Sequence, residues 1–212
     1  ATKMGTVKKT LLADYANVRA SGLIAIKLDD GDELKWVKLT TGENEIIMST
    51  TLAQAIRFKE TDVRPMGRAT RGVRGMRLKP DDQVVGMDVV QEDKQLLVVM
   101  ENGYGKRTKV NQFTRHARGG VGIKAGVVTS KTGRVVDVRT LQDETDDLVI
   151  VSSQGQIIRL SLSGISLIGR ATQGVRIMRL KEGDKVASVA LVAESKLEEA
   201  IAEEDEAPES AE

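Results

Sequence analysis

One twelve-residue stretch, GRATRGVRGMRL from Gly67 to Leu78, returns as GRATQGVRIMRL from Gly169 to Leu180, with ten of twelve positions identical. A copied segment constrains a chain more than any local propensity does, because each copy must fold into the same unit and bury its surface against its neighbours. The offset of 102 residues leaves room for another copy between the two. RHARGGVGIKAG supplies it, with Gly120 and Val121 at the Gly-Val step, and RASGLIAIKLDDGDEL supplies an earlier one at Gly22. Gly22, Gly72, Gly120 and Gly174 are then 50, 48 and 54 residues apart. A period near 50 fits propeller-like blades, since the helical repeats are shorter.

The copies share further blocks. IKLDDGDEL, MRLKPDDQV and MRLKEGDKV each place an Asp four residues after a Leu (Asp32, Asp82, Asp184), whereas the third copy has VVTSKTGRVVDV. ATKMGTVKKT, MSTTLAQAIRF, VMENGYGKRT and VSSQGQIIRL each read as a strand, a tight turn and a strand ending in a base. Gly5, Gly103 and Gly155 stand at the turn, where a positive φ is expected. Ala53 replaces glycine in the second copy, which predicts another turn type there. EIIMST, QLLVVM, DLVIVSS, QVVGMDVV and KVASVALV are short, apolar and rich in β-branched residues, so they read as strands. The expected fold is all-β: a propeller-like domain over residues 1–192 with about four four-stranded blades, followed by a disordered acidic tail over 193–212. The chain opens at Ala1 on residues that read as mid-strand, which suggests a piece of a longer protein.

Charge divides the chain in two. The formal net charge is +1, but residues 193–212 hold nine acids and one base. The body is left with 31 bases against 22 acids, a net of +9. A basic body suits a polyanionic partner, and an acidic tail suits a solvated terminus. Repetition should set bases at matching places in successive blades: Lys8, Lys9, Arg57, Lys106, Arg107 and Arg159 at the hairpin ends, and Arg68, Arg71 and Arg170 in the Gly-rich loops. Arg74 and Arg77, three apart in an expected strand, should face opposite ways, one of them pairing with an Asp such as Asp82. The result would be a positive stripe along the outer edge, suited to a phosphate backbone. Only five aromatic residues are present, against single-strand or RNA binding by stacking. No base-reading helix, zinc finger or helix-turn-helix is evident. Sequence-tolerant binding and bending of duplex DNA is what remains.

MGTVKKT, AIRFKETDVRPMGRATRGVRGMRL, NGYGKRT and GRATQGVRIMRL closely resemble the C-terminal domain of the DNA gyrase A subunit, over residues 1 to about 192. The resemblance implies a β-pinwheel, usually of six blades, whose basic rim wraps duplex DNA and supports negative supercoiling. It implies as partners the rest of the gyrase A subunit and the gyrase B subunit, with the DNA-cleaving tyrosine and the ATPase outside this chain. HARGGVG, from His116 to Gly122, resembles a degenerate copy of the family's Gln-basic-Arg-Gly-Gly-basic-Gly box. Arg118, Gly119, Gly120 and Gly122 match that box, which makes them and Arg115 candidates for DNA contact. His116, Ala117 and Val121 depart from it.

Enzyme chemistry is not expected. His116 is the only histidine and cysteine is absent, so metal and thiol sites lack partners. No P-loop occurs, GYGKRT reads as a hairpin, and no cofactor is expected. The lack of cysteine fits a reducing, cytoplasmic setting, and no apolar run is long enough for a helical membrane span. Two rival readings stand beside DNA wrapping: the geometry-sensing C-terminal domain of topoisomerase IV, and a propeller used as a protein-interaction platform.

Overall fold

The computed structural model describes residues 1–18, 20–141 and 146–192; the expected disordered tail at 193–212 lies outside them. Thirteen strands are found among the described residues: β1 (Thr6–Val7), β2 (Glu45–Thr50), β3 (Gln54–Lys59), β4 (Val73–Arg74), β5 (Val84–Val90), β6 (Gln95–Met100), β7 (Tyr104–Lys109), β8 (Ile123–Lys124), β9 (Val135–Leu141), β10 (Asp147–Ser152), β11 (Ile157–Ser161), β12 (Val175–Arg176) and β13 (Val186–Val192). Short 3-10 turns supply the remaining regular structure. The sheets run β8-β3-β2-β5, β12-β7-β6-β9, β11-β10-β13 and β1-β4, and every strand pairing is antiparallel.

Alternation along the central strands stacks these sheets. In β2, Ile46 and Met48 join Val7, Ile56 and Phe58 in one apolar cluster, while Ile47 joins the next. In β6, Leu96, Val98 and Met100 face that second cluster, while Leu97 and Val99 face a third with Leu148 and Ile150. Both faces of a central strand are therefore buried, which is why these segments read as continuous apolar runs. Each fully buried aliphatic side chain contributes roughly 1.5–3 kcal/mol.

The hairpin turns are alike in all four copies. Gly5, Gly103 and Gly155 have φ of +86°, +77° and +83°, and Ala53 has +56°. Each of the four donates its N–H to the carbonyl three residues back. The separate turn type expected at Ala53 is thus corrected: the hairpin register imposes the left-handed conformation, and the small Cβ tolerates it at a cost of about 1–2 kcal/mol. The aspartates brace these turns. Asp32 Oδ1 accepts from Met4 N, Asp82 Oδ1 from Leu52 N and Asp184 Oδ1 from Gln154 N, at 2.9–3.0 Å. Asp82 therefore pairs with the hairpin, not with Arg74 or Arg77, and Arg77 lies outside any strand. In the third copy the Asn102 amide, which donates to the Ser130 and Lys131 carbonyls, braces the turn instead.

One edge strand of each four-stranded sheet, and the second strand of the two-stranded sheet, comes from the following copy. β8 seats on β3, β12 on β7 and β4 on β1. Gly72, Gly122 and Gly174 precede these donated strands with φ of +94°, +78° and +83°, and Gly22 has +77°. Gly122, not Gly120, is therefore the third copy of this glycine, and the spacings become 50, 50 and 52 residues.

Candidate nucleic-acid interface

Each donated segment approaches its neighbour's hairpin in two steps. It first makes a parallel bridge, Lys9 with Pro65, Arg57 with Arg115 and Arg107 with Leu167. It then loops out over residues 66–72, 116–122 or 168–174 and returns as the short antiparallel strand. Glycine is required where it returns. A Cβ on Gly122 would lie 2.3 Å from the Ala55 carbonyl oxygen, and one on Gly174 would lie 2.7 Å from that of Gly105.

The hairpin-end bases serve this seam. Arg57 bonds Glu45 through Nε at 2.5 Å and donates to the Val110 and Phe113 carbonyls. Arg107 donates to the Ile165 carbonyl at 2.8 Å and to that of Ser163. Lys9 donates to the Glu60 carbonyl at 3.0 Å. Lys106 is completely buried, and its Nζ donates to the carbonyls of Gly169, Arg170 and Thr172. Lys8 Nζ likewise donates to the carbonyls of Ala25 and Arg68. The outer-edge placement expected from sequence is corrected for Arg57, Lys106 and Arg107: they are buried, because the donated segment covers them and offers carbonyls to their donors. Arg159 has the matching position on β11, where no described strand covers it; it is half exposed and pairs with Asp147.

The loop arginines occupy a second repeated place. Arg68 Nη1 donates to the Ile24 carbonyl, Arg118 Nη1 to that of Arg74 at 3.0 Å, and Arg170 Nη1 to that of Lys124 at 3.0 Å. Arg118 Nε also donates to the Asp62 carbonyl at 2.8 Å. Backbone bonds repeat alongside: Lys27 N to Thr70 O, Arg77 N to Gly120 O and Val127 N to Thr172 O, at 3.0, 2.8 and 3.2 Å. Gly119 has φ of +82° and donates to the Gly75 carbonyl. These loops thus form a continuous ladder from copy to copy. Arg71, by contrast, forms an exposed ion pair with Asp29. Arg115 joins Arg57 on Glu45. Burial pushes the Glu45 carboxyl up, but hydrogen bonds from Arg115 and Arg57 outweigh it and hold the pKa below the ordinary value.

The ladder exposes bases that sequence reasoning did not single out for binding. Arg74, Lys124 and Arg176 end the three donated strands and are all exposed. The side chains of Arg74 and Lys124 have no ion-pair or hydrogen-bond partner among the described residues. Arg176 leans over the Tyr104 ring, 5.6 Å from its centroid, and donates to Tyr104 Oη at 3.2 Å. Arg77, Lys79, Arg179 and Lys181 are exposed just beyond these strands. The Arg118 guanidinium sits on the Arg74 backbone and that of Arg170 on the Lys124 backbone, so bases adjoin in pairs along the rim. The signal in the sequence was the apolar-basic pair after Gly72, Gly122 and Gly174: Val73-Arg74, Ile123-Lys124 and Val175-Arg176.

Comparison with known proteins bears on this rim. The family model for the DNA gyrase C-terminal domain, beta-propeller, matches residues 1–41, 44–91, 94–142 and 146–193. The chain is 45% identical over 201 residues to the DNA gyrase A subunit of Staphylococcus aureus, covering 94% of this chain and 23% of that protein. It is 45% identical over 196 residues to the A subunit of Staphylococcus epidermidis gyrase, covering 92% and 22%. It therefore spans less than a quarter of the length of these relatives. Among solved structures, a DNA gyrase A C-terminal domain superposes with a TM-score of 0.80 at 30% identity, covering 91% of this chain and 64% of that one. The C-terminal domain of a DNA topoisomerase IV superposes at 0.86 with 27% identity, covering 96% and 65%.

Proposed function

The chain belongs to the DNA gyrase C-terminal domain family, and from that premise we propose that it binds duplex DNA along the rim of donated strands and bends the duplex around it. The observation that carries this reading is the repeated pairing of a loop arginine with a strand-end base, Arg118 beside Arg74 and Arg170 beside Lys124. These pairs stand at two successive seams, a repetition suited to a phosphate backbone, and neither presents a helix to a groove. Arg68 and Arg71 extend the rim toward the first copy, and Arg115 and Arg159 flank it. Within an A subunit as long as those of its relatives, the domain would hold a wrapped segment for a gyrase of A and B subunits in the bacterial cytoplasm, supporting negative supercoiling, with DNA cleavage and ATP hydrolysis carried elsewhere.

The test is a titration against random-sequence duplexes of increasing length across a salt series. Tighter binding to longer duplexes with a steep salt slope supports wrapping over several copies. Binding that saturates on a short duplex refutes it. Likeness to the topoisomerase IV domain favours a second reading, recognition of DNA geometry without strong wrapping. That reading predicts discrimination between supercoiled and relaxed DNA with little gain from duplex length. A protein-interaction platform would bind random duplex poorly even at low salt.

A further inference from the structure

Two kinds of loop lie on the rim, and the residue beneath each differs in a correlated way. The position three residues after each hairpin-turn residue is Lys8, Ile56, Lys106 and Ile158 in the four copies. Lys8 and Lys106 lie beneath the two GRAT loops, Gly67–Thr70 and Gly169–Thr172. Ile56 lies beneath the third loop, where Arg118-Gly119-Gly120 replaces Arg-Ala-Thr, and its Cδ1 would stand 3.6 Å from a Cβ at Gly120.

The backbone explains the correlation. In the GRAT loop, Thr172 Oγ1 donates to the Gly169 carbonyl, and the same turn closes at Thr70 and Gly67. This turn aims the carbonyls of Gly169, Arg170 and Thr172 at a single point, where the Lys106 ammonium sits at 2.5–3.1 Å, with Thr172 Oγ1 a fourth acceptor at 3.2 Å. Carbonyls that converge on one point and are partly shielded from water need a donor-rich cation. In the other loop, Gly119 adopts φ of +82°, which no residue of the GRAT loops does, and its N–H is drawn to Gly75. An apolar side chain suffices beneath it.

We propose that Lys8 and Lys106 are positioning residues of the rim: each ammonium, Lys106 fully buried and Lys8 partly so, sets the shape of a GRAT loop and thereby seats its arginine, Arg68 or Arg170, against the neighbouring copy. This inference rests on the DNA-binding reading for its functional consequence. Neither lysine reaches a phosphate; each acts through the loop above it. Arg170, bonded to the Lys124 carbonyl, is carried on the loop that Lys106 holds, so losing the clamp displaces one rim pair together.

The test exchanges one loop type for the other in the full chain. Lys106→Ile alone should weaken binding to a 40-base-pair random duplex by about tenfold and lower the salt slope by roughly 2, the contribution of two phosphate contacts. Lys106→Ile combined with Ala171→Gly and Thr172→Gly recreates the arrangement at Ile56, Arg118, Gly119 and Gly120. It should recover most of the affinity and the slope although the lysine charge is still missing. Amide hydrogen exchange over residues 168–174 is read in parallel and should lose protection in the single variant and regain it in the triple. An unchanged slope and protection in the single variant overturns the proposal, as does a triple variant that stays as impaired as the single one or fails to fold. If the unmodified chain binds no DNA, the DNA reading fails, and the exchange data alone still decide whether the clamp exists.

Discussion

Gly22 and Gly122 stand at the same place in two copies, with φ of +77° and +78°, and differ in what lies beside them. Gly22 has nothing within 4 Å of a Cβ position, whereas a Cβ on Gly122 would lie 2.3 Å from Ala55 O and 2.7 Å from Ala55 C. The pair separates backbone strain from the fit of the donated strand. Alanine at either site must hold a left-handed conformation, at about 1–2 kcal/mol. At Gly122 it must also push β8 away from β3, an overpacking cost of roughly 1–3 kcal/mol against a backbone atom that cannot rotate aside. Gly122→Ala should therefore destabilise by about 2–5 kcal/mol and Gly22→Ala by no more than about 2 kcal/mol. Urea unfolding of both variants beside the parent reads the difference from the midpoints at constant m. Equal losses would mean that β8 does not seat on β3 as described, and the strand exchange from which the rim is argued would fall with it.

Four further outcomes follow from the same geometry. Removing the Arg74, Lys124 and Arg176 side chains one at a time should lower the DNA salt slope by about 1 each, nearly independently of duplex sequence; a slope unchanged in all three places the DNA elsewhere. Arg74→Ala and Arg118→Met should couple by more than about 0.5 kcal/mol in a double-mutant cycle for binding, whereas Arg74→Ala and Arg176→Ala, two copies apart, should add. Burial, and then the Arg170 guanidinium, lower the Lys106 pKa to about 8, below the ordinary 10.5. The unfolded chain then holds the extra proton between those values. The native state is penalised below pH 8, and stability relative to Lys106→Met should rise by up to about 3 kcal/mol as pH climbs from 8 to 10.5. Urea midpoints of the two proteins that stay parallel across that range would refute this. Deleting residues 194–212, which carry all nine acids of the tail, should tighten DNA binding at low salt, and equal affinity would dismiss competition by the tail.

The sequence made the repeat, the strands and the family legible, because each rests on patterns within one copy: a period of 2 in the strands and a glycine where φ turns positive. What it obscured depends on contacts between copies. Gly120-Val121 and Gly122-Ile123 are both Gly-apolar steps two residues apart, and only the seat on Ala55 selects the second. Arg57 and Arg107 look like exposed strand ends because their carbonyl partners, Phe113 and Ile165, lie more than 50 residues along the chain. Ala53 looked like an exception because alanine seldom takes positive φ, yet the register of β2 on β3 leaves it no alternative.

The charge of the body acquires a different meaning from this partition. A net of +9 suggests a generally attractive surface for a polyanion, but many of its bases are already committed. Lys9, Arg57 and Arg107 neutralise carbonyl oxygens that the donated segments bury, and Arg68, Arg118 and Arg170 tie each loop to the copy before it. Replacing any of these would weaken a seam before it weakened an electrostatic field. On the DNA-binding reading, the bases that meet phosphate are those that the seams hold outward: Arg74 and Lys124 at the ends of donated strands, with Arg118 and Arg170 beside them. Their spacing along the rim is set by the repeat, since each rides on a strand fixed to the neighbouring blade. On that reading the binding surface gains reach by adding copies, and its pitch follows from the seams that the buried Arg57, Lys106 and Arg107 bridge.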